Sequence, residues 1–190
     1  ADGVSRETYA LLDGRGGADI HFENVRVPAS AVLGTLDQAW SVMEHVADQA
    51  SAALCAESLG AFAKVNELTL EYLKVREQFG RPIGKFQVLQ HHMADMVIEY
   101  EHARSLVCQS SMKADSEDAA ERGKAVSSTK VYLGEGGHKS CQSAIQLHGG
   151  IGMTAEYELG DFVKRMAISE VLFGDVDHHL VRFGKLSYLD

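Results

Sequence analysis

The chain has 190 residues, 45% of them hydrophobic and 24% charged, which is the composition of an ordinary globular protein and excludes a disordered tail, a collagen-like repeat or a low-complexity linker. Lys and Arg total 18 against 27 Asp and Glu, a formal charge of −9, and no basic run offsets it, which argues against nucleic acid as a partner. No apolar stretch approaches the roughly 18 residues of a membrane span, and none reads as a signal peptide. Cys55, Cys108 and Cys141 are odd in number and widely spaced. They read as reduced thiols of a cytoplasmic protein, not as a disulfide frame or a zinc site.

Residues 1–35 differ from the rest. Ala18 to Val27 alternates apolar and polar around Ile20, Phe22 and Val25 and stops at Pro28, the pattern of a strand. Leu11 and Leu12 are assigned to a partner strand, with Asp13-Gly14 and Gly16-Gly17 as turns. Two strands do not form a stable sheet alone. They are expected to pair with something outside this sequence, and the opening Ala1-Asp2-Gly3, without an initiator Met, fits a piece of a larger protein.

From about Thr35 the period becomes helical. Leu36 to Lys74 contains no proline and a single glycine, Gly60. Its apolar residues, from Trp40 and Met43 to Phe62, Val65 and Leu73, recur mostly at three- and four-residue steps, predicting one helix roughly 55 Å long. Gly80, Pro82 and Gly84 break the chain. A second helix is predicted from Phe86 to about Met112, with Met93 and Met96 in the core and His91-His92 at solvent or an interface. The acidic run Asp115 to Asp118 caps a third helix, Ala119 to Leu147, which stops at Gly149-Gly150. Gly134, Gly136 and Gly137 inside it weaken the isolated helix and allow close packing. A fourth helix is placed over Glu156 to Leu172. After a break at Phe173-Gly174-Asp175, a short last helix capped by Asp177 runs to about Leu189. The expected fold is all-α, an antiparallel four-helix bundle over residues 36–190 with a short β-strand remnant over residues 1–35.

Three segments carry chemistry. Arg76 to Gln87 places an Arg beside a Gly-containing turn, which can grip a phosphate bidentately, and adds the apolar faces of Phe79 and Phe86. The same segment also reads as a plain helix–helix turn with a salt-bridging Arg. Gln146 to Gly152 puts adjacent glycines at a helix end, where backbone amides can approach a ligand; without a surrounding βαβ unit it is no dinucleotide fingerprint, and a helix stop is the default. Phe173 to His179 gathers Asp175, Asp177, His178 and His179, which reads as a polar interhelix turn. A metal centre is not expected, because no Glu-x-x-His pairs project from facing helices.

Taken together, these segments resemble the C-terminal half of the acyl-CoA dehydrogenase family. Asp19 to Pro28 followed by Val32-Leu33-Gly34 is similar to the end of that family's middle β-domain. Arg76 to Gln90 with Met93 to Met96 is similar to its most recognisable signature, Gln146 to Gly152 to its glycine segment, and Phe173 to Asp175 to its catalytic loop. The resemblance covers essentially the whole chain. It implies FAD as cofactor, an acyl-CoA substrate, an electron-transfer flavoprotein as acceptor, and a homotetramer or hetero-oligomer built through the bundle. By match, Arg76, Gln78 and Phe79 meet the FAD pyrophosphate and adenine side across a subunit interface, Gln87 adds a polar contact, and Gln146, Gly149 and Gly150 approach the adenosine end. Most of the flavin-cradling β-domain lies outside this sequence, so the segment alone is not expected to hold FAD tightly. Asp48 falls where the family bonds the pantetheine arm, and Ser51 stands at the neighbouring family Arg. The implied chemistry is α,β-desaturation, in which a carboxylate removes the α-proton while the β-hydrogen leaves as hydride to the flavin.

At both positions where the family carries its Glu base, this sequence has Gly174 and Ala50, and neither accepts a proton. The catalytic residue is therefore left unassigned. Three readings follow: a base-less partner in a heteromeric dehydrogenase whose sister subunit supplies the Glu, a shifted loop that brings Asp175 to the substrate as the base, or a non-catalytic assembly or binding module. The small residues Ala50, Ser51, Ala52 and Ala53 leave room for a bulky acyl group.

Overall fold

The computed structural model describes residues 2–188; Ala1 and the expected helix end at Leu189 lie outside the described residues. Strands β1 (Val4–Ala10) and β2 (Gly16–Phe22) form an antiparallel hairpin with Ala10 opposite Gly16 and Val4 opposite Phe22. Leu11 and Leu12 are therefore in the turn, not in a strand. The turn closes through Leu11 N–H to Arg15 O (2.7 Å) and Gly14 N–H to Leu11 O (3.0 Å). β2 ends at Phe22, short of the expected Val27, and Asn24 follows with φ +52°. The hairpin is tied to the bundle by charge: Asp13 pairs with Arg15 (2.7 Å) and Arg165 (3.3 Å), and both guanidiniums reach Glu57.

Helix α1 (Trp40–Val75) is a single rod of 36 residues, beginning four residues later than expected. A tight knuckle of two-residue strands β3 (Glu77–Gln78) and β4 (Arg81–Pro82) turns the chain into α2 (Gln87–Lys113). The third rod is α3 (Ala119–Tyr132) continued by α4 (His138–His148), joined by a π-helical turn over residues 133–137. Asp118 caps α3, accepting from Ala120 N–H (2.9 Å) and Glu121 N–H (3.0 Å); those bonds hold its carboxyl below the usual range. Helices α5 (Leu159–Val171) and α6 (Val176–Tyr188) complete the fold. This is the all-α bundle with a short β remnant that the periodicity predicts. Among the described residues, no helix is long and apolar enough to cross a membrane.

Phe62, Val65, Met96, Ala103, Ala144 and Leu159 lie at the centre of the core, with Met93 and Met166 also buried. Phe62 meets Tyr100 edge-on at 5.6 Å. Two polar bonds tie neighbouring rods: Asn66 Nδ2 donates to Met96 O (3.3 Å) and Thr129 Oγ1 to Leu106 O (3.0 Å). The π-turn exists where its glycines allow contact. A Cβ on Gly134 would stand 2.4 Å from Val176 Cγ2, and one on Gly137 would stand 2.6 Å from Met166 Cε. These glycines let α5 and α6 pack directly against the third rod.

The two kinds of helix glycine should respond oppositely to alanine. Gly60 is exposed in α1 with open space at its Cβ position, so Gly60→Ala should stabilise by about 1 kcal/mol through helix propensity. Gly134→Ala gains the same propensity but forces Val176 aside, and a net loss of about 1 kcal/mol is expected. Urea unfolding of both variants checks the difference in sign.

Candidate functional site

A cleft of about 700 Å³ opens between the first turns of α1, the loop after α5, and α6. Trp40, Met43, Ala47, Phe173 and Val181 form its apolar wall; Glu44, Asp48, Asp177, His178, Arg182 and Lys185 supply its charged and titratable groups. A second groove, about 750 Å³ between the ends of α1 and α2, is mostly apolar, and its ionisable side chains are those of Lys74 and Lys85. The first cleft is therefore the chemically equipped one.

Asp48 is buried at 1% exposure, and both its oxygens are engaged. Arg122 Nε donates to Oδ2 at 3.0 Å, and the Arg182 guanidinium donates to both oxygens while also reaching Glu44 at 3.3 Å. The triad ties α1, α3 and α6 together. Ser51 lines the cleft, but its hydroxyl donates to Ala47 O in its own helix at 2.7 Å. Arg182, arriving from α6, supplies a guanidinium to the same cleft that Ser51 lines. Sequence reasoning passed over Arg182 and Arg122, and no local signal marks either: they lie 134 and 74 residues from Asp48.

The loop after α5 is held in a strained form from several sides. Phe173 has φ +58° and Gly174 φ +106°; the first is costly for a side-chain-bearing residue and the second is reserved for glycine. Lys130, buried in α3, donates to the carbonyls of Ser169 (2.7 Å), Glu170 (2.9 Å) and Leu172 (2.8 Å), capping the C-terminal end of α5. Burial lowers its pKa from the ordinary lysine value. His179 places its ring between Ser127 Oγ (3.1 Å) and Phe173 O (3.2 Å). Burial first, and then the nearby Lys130 cation, push its pKa down to about 4. Of the clamp on this loop, Lys130 has no mark in the sequence, and His179, read there as part of a polar turn, is instead buried against Ser127 and Phe173.

Asp175, not Asp177, caps the last helix, which begins one residue earlier than expected: Asp175 Oδ1 accepts the His178 N–H at 2.9 Å. That bond turns the Asp175 carboxylate onto the helix terminus, and Asp175 is not among the cleft-lining residues, whereas Asp177 is. Ala50 is likewise not among them. A Cβ on Gly174 would stand 2.5 Å from His178 Cδ2. Among the described residues, no group of three or more His, Cys, Asp or Glu side chains converges as a metal site.

The other predicted residues gather at one end of the bundle. Tyr72, near the end of α1, stacks on His148, at the end of α4, with ring centroids 4.5 Å apart. This contact brings the knuckle carrying Arg76, Gln78 and Phe79 to the same end as Gln146, Gly149 and Gly150. All six are exposed, as is Gln87, and Phe79 is 90% exposed with φ +55°. None of the polar side chains among them has a hydrogen-bond partner among the described residues; the salt-bridging role open to Arg76 is not taken. Gly149 (φ +62°) and Gly150 have nothing within 4 Å of a Cβ position, so neither is explained by crowding. A guanidinium, three amides and accessible backbone with no partner in the fold suit a diphosphate and a flat heterocycle, and the FAD assignment fits these residues.

A long-rod helical bundle with a loop-bounded cleft at one side and an uncommitted polar edge at one end is the architecture in view. The Acyl-CoA dehydrogenase C-terminal domain model matches residues 37–184, and the chain belongs to the acyl-CoA dehydrogenase family. It is 36% identical to the acyl-CoA dehydrogenase IpdE2 of Mycolicibacterium smegmatis over 139 residues, 73% of this chain and 42% of that protein. Its structure is similar to a variant of the Tcur3481-Tcur3483 steroid ACAD, with TM-score 0.84 and 31% identity over 97% of this chain and 48% of that one. It is also similar to PigA with FAD and proline, with TM-score 0.88 and 26% identity over the same shares of each chain. The chain thus spans less than half the length of these relatives.

Two consequences of the cleft's electrostatics are measurable. Asp48→Asn should cost about 3 kcal/mol in chemical unfolding, because it strips the carboxylate charge from two inward-facing guanidiniums. His179 carries a pKa lowered from 6.5 to about 4, so below pH 6.5 the unfolded chain binds a proton that the folded one refuses. Its contribution is fully present above pH 6.5 and is lost as pH falls toward 4. Thermal melts should show wild-type stability falling across that window more steeply than in His179→Gln.

Proposed function

We propose that this chain is the helical half of a flavin-dependent acyl-CoA dehydrogenase catalysing α,β-desaturation of an acyl thioester, with residues 1–35 the tail end of its β-domain. The observation that carries the reading is the cleft of about 700 Å³ beside the Phe173–Gly174 loop, in a bundle belonging to this family. Its volume and its Trp40, Met43 and Phe173 walls suit a bulky acyl group better than a short straight one. Arg76, Gln78, Phe79, Gln87, Gln146, Gly149 and Gly150 would hold the pyrophosphate and adenosine portions of FAD. When bound, FAD supplies the acceptor for the β-hydride. The protein's part is to orient the thioester and polarise its carbonyl, with the fixed backbone at Gly174 as a donor whose position costs no reorganisation. Asp48 and Asp175 would serve substrate binding indirectly: Asp48 by holding Arg182 at the cleft wall, Asp175 by fixing the first turn of α6. The resemblance implies a cytoplasmic oligomer that passes electrons to an electron-transfer flavoprotein.

A second reading is favoured by position 174. With φ +106° and His178 against its Cβ position, that residue cannot carry a Glu without rearrangement. One matched structure is a steroid ACAD named for two proteins, Tcur3481 and Tcur3483. In this reading, the chain is the base-less partner of a heteromeric dehydrogenase, and the sister subunit supplies the carboxylate.

The whole protein should purify with a flavin spectrum that a ring-bearing acyl-CoA bleaches more efficiently than butyryl-CoA. A preference for butyryl-CoA would contradict the bulky-acyl assignment, and a colourless oligomer that takes up no flavin would refute the dehydrogenase reading. Gly174→Glu should not raise turnover, because the backbone and His178 deny the new side chain a productive rotamer. Bleaching that appears only on co-expression with a neighbouring-gene partner would select the heteromeric reading.

A further inference from the structure

Resting on the desaturation reading, we infer that the imidazole of His178 is the proton acceptor of the cleft, the catalytic residue that takes the α-hydrogen of the thioester. Removing that hydrogen as a proton needs a cleft group with a free lone pair. Arg182 engages one oxygen of the Glu44 carboxylate, Oε1 at 3.3 Å, and Arg122 and Arg182 together hold both oxygens of Asp48. His179 is buried, with both ring nitrogens engaged. Glu44 keeps Oε2 free, and Asp177 and His178, neighbours in the first turn of α6, have no polar side-chain partner among the described residues.

Geometry separates these three. The three atoms nearest to a Cβ on Gly174 all belong to the His178 ring: Cδ2 at 2.5 Å, Cγ at 3.0 Å and Nε2 at 3.2 Å. The imidazole therefore fills the room that a side chain at position 174 would take, beside the loop whose Phe173 lines the same cleft. It is held there from two directions. Asp175 fixes the His178 backbone through its N–H at 2.9 Å, and the His179 ring meets the His178 ring edge-on at 5.0 Å. Glycine at 174 thus admits the ring that takes over the missing function. In the step assigned to it, the α-carbon–hydrogen bond breaks, the proton passes to a free ring nitrogen, and the bonding electron pair remains on the thioester as its enolate. In deuterated water, the imidazolium exchanges its proton and returns a deuteron, so this half-step balances without an oxidant. In turnover, a bound flavin would supply the oxidant that accepts the β-hydrogen and its electron pair.

The test uses the whole protein, with the flavin and subunits it retains, and an acyl-CoA analogue carrying sulfur in place of the β-methylene, which has no hydride to give. Mass spectrometry follows deuterium entering the α-carbon. Wild type should exchange, and His178→Ala and His178→Gln should slow exchange by about 10²–10⁴-fold with analogue affinity and melting temperature unchanged. Added imidazole should restore part of the rate in His178→Ala alone. Asp177→Asn should stay near wild type. Undiminished exchange in His178→Ala, loss of exchange in Asp177→Asn instead, or a wild-type protein that binds the analogue and never exchanges it would each overturn the assignment; the last would move the base to another subunit. Failure to bind the analogue at all would refute the dehydrogenase reading, and this inference with it.

Discussion

The buried carboxylate of Asp48 constrains more of this structure than any other single group. A carboxylate at 1% exposure is tolerable only when its charge is matched and its oxygens are satisfied. Two guanidiniums do both, and each comes from a different helix. The triad therefore acts less as a source of net stability than as a register pin, because α1, α3 and α6 must sit where all three side chains meet. The cleft follows from that register. Arg182 can reach Asp48 only if the first turns of α6 lie along the start of α1, and the space left between them is lined by Trp40 and Met43 on one side and Val181 on the other.

A second constraint acts on the loop that closes the cleft. Left-handed backbone at Phe173 persists only where the surroundings over-determine it, and three surroundings are present. Lys130 donates to three carbonyls at the end of α5, His179 donates from Nε2 to the Phe173 carbonyl, and Asp175 caps the helix that follows. The bonds at Lys130 and His179 involve buried side chains, where competition from water is weak. The loop is thus preset before any ligand arrives, which is what a site that must place a backbone amide against a carbonyl requires.

Much of this was legible in the sequence, and the misses share a cause. Helical periodicity located every long rod, and the Asp118 cap and the Gly149 stop fall where local chemistry puts them. The glycines of the third rod announced close packing, although not its π-helical form, which depends on where Val176 and Met166 arrive. Leu11 and Leu12 were misplaced because hydrophobicity alone cannot tell a strand from a tight turn, and the Arg15 carbonyl decided it. The predicted apolar stripe begins at Trp40, yet that ring is 74% exposed, since periodicity shows a face and not what covers it. Arg122, Lys130 and Arg182 carry no local signal because their partners are distant in sequence. A basic residue in a helix looks the same whether it faces water or a buried carboxylate.

The two ends of the bundle differ in how their polar groups are used, and that difference carries the functional argument. Around the cleft, the buried charges of Asp48 and Arg182 are satisfied within the chain, so its shape is intrinsic and its free chemistry lies with Glu44 Oε2, Asp177, His178 and Lys185. At the knuckle, the opposite holds: Arg76, Gln78, Gln87 and Gln146 are unpartnered and Phe79 is held open by its own left-handed backbone. An aromatic ring fixed in solvent at a strained φ costs free energy in two ways, through exposed apolar surface and through backbone conformation. The backbone part belongs to the two-residue turn Phe79–Gly80 between β3 and β4, where both residues take positive φ; the exposed ring is the part that a bound partner would offset. Under the proposed function, a diphosphate with a flat base would satisfy the guanidinium, the amides and the ring together, whereas a purely apolar partner would leave the Arg76 charge buried and unpaired.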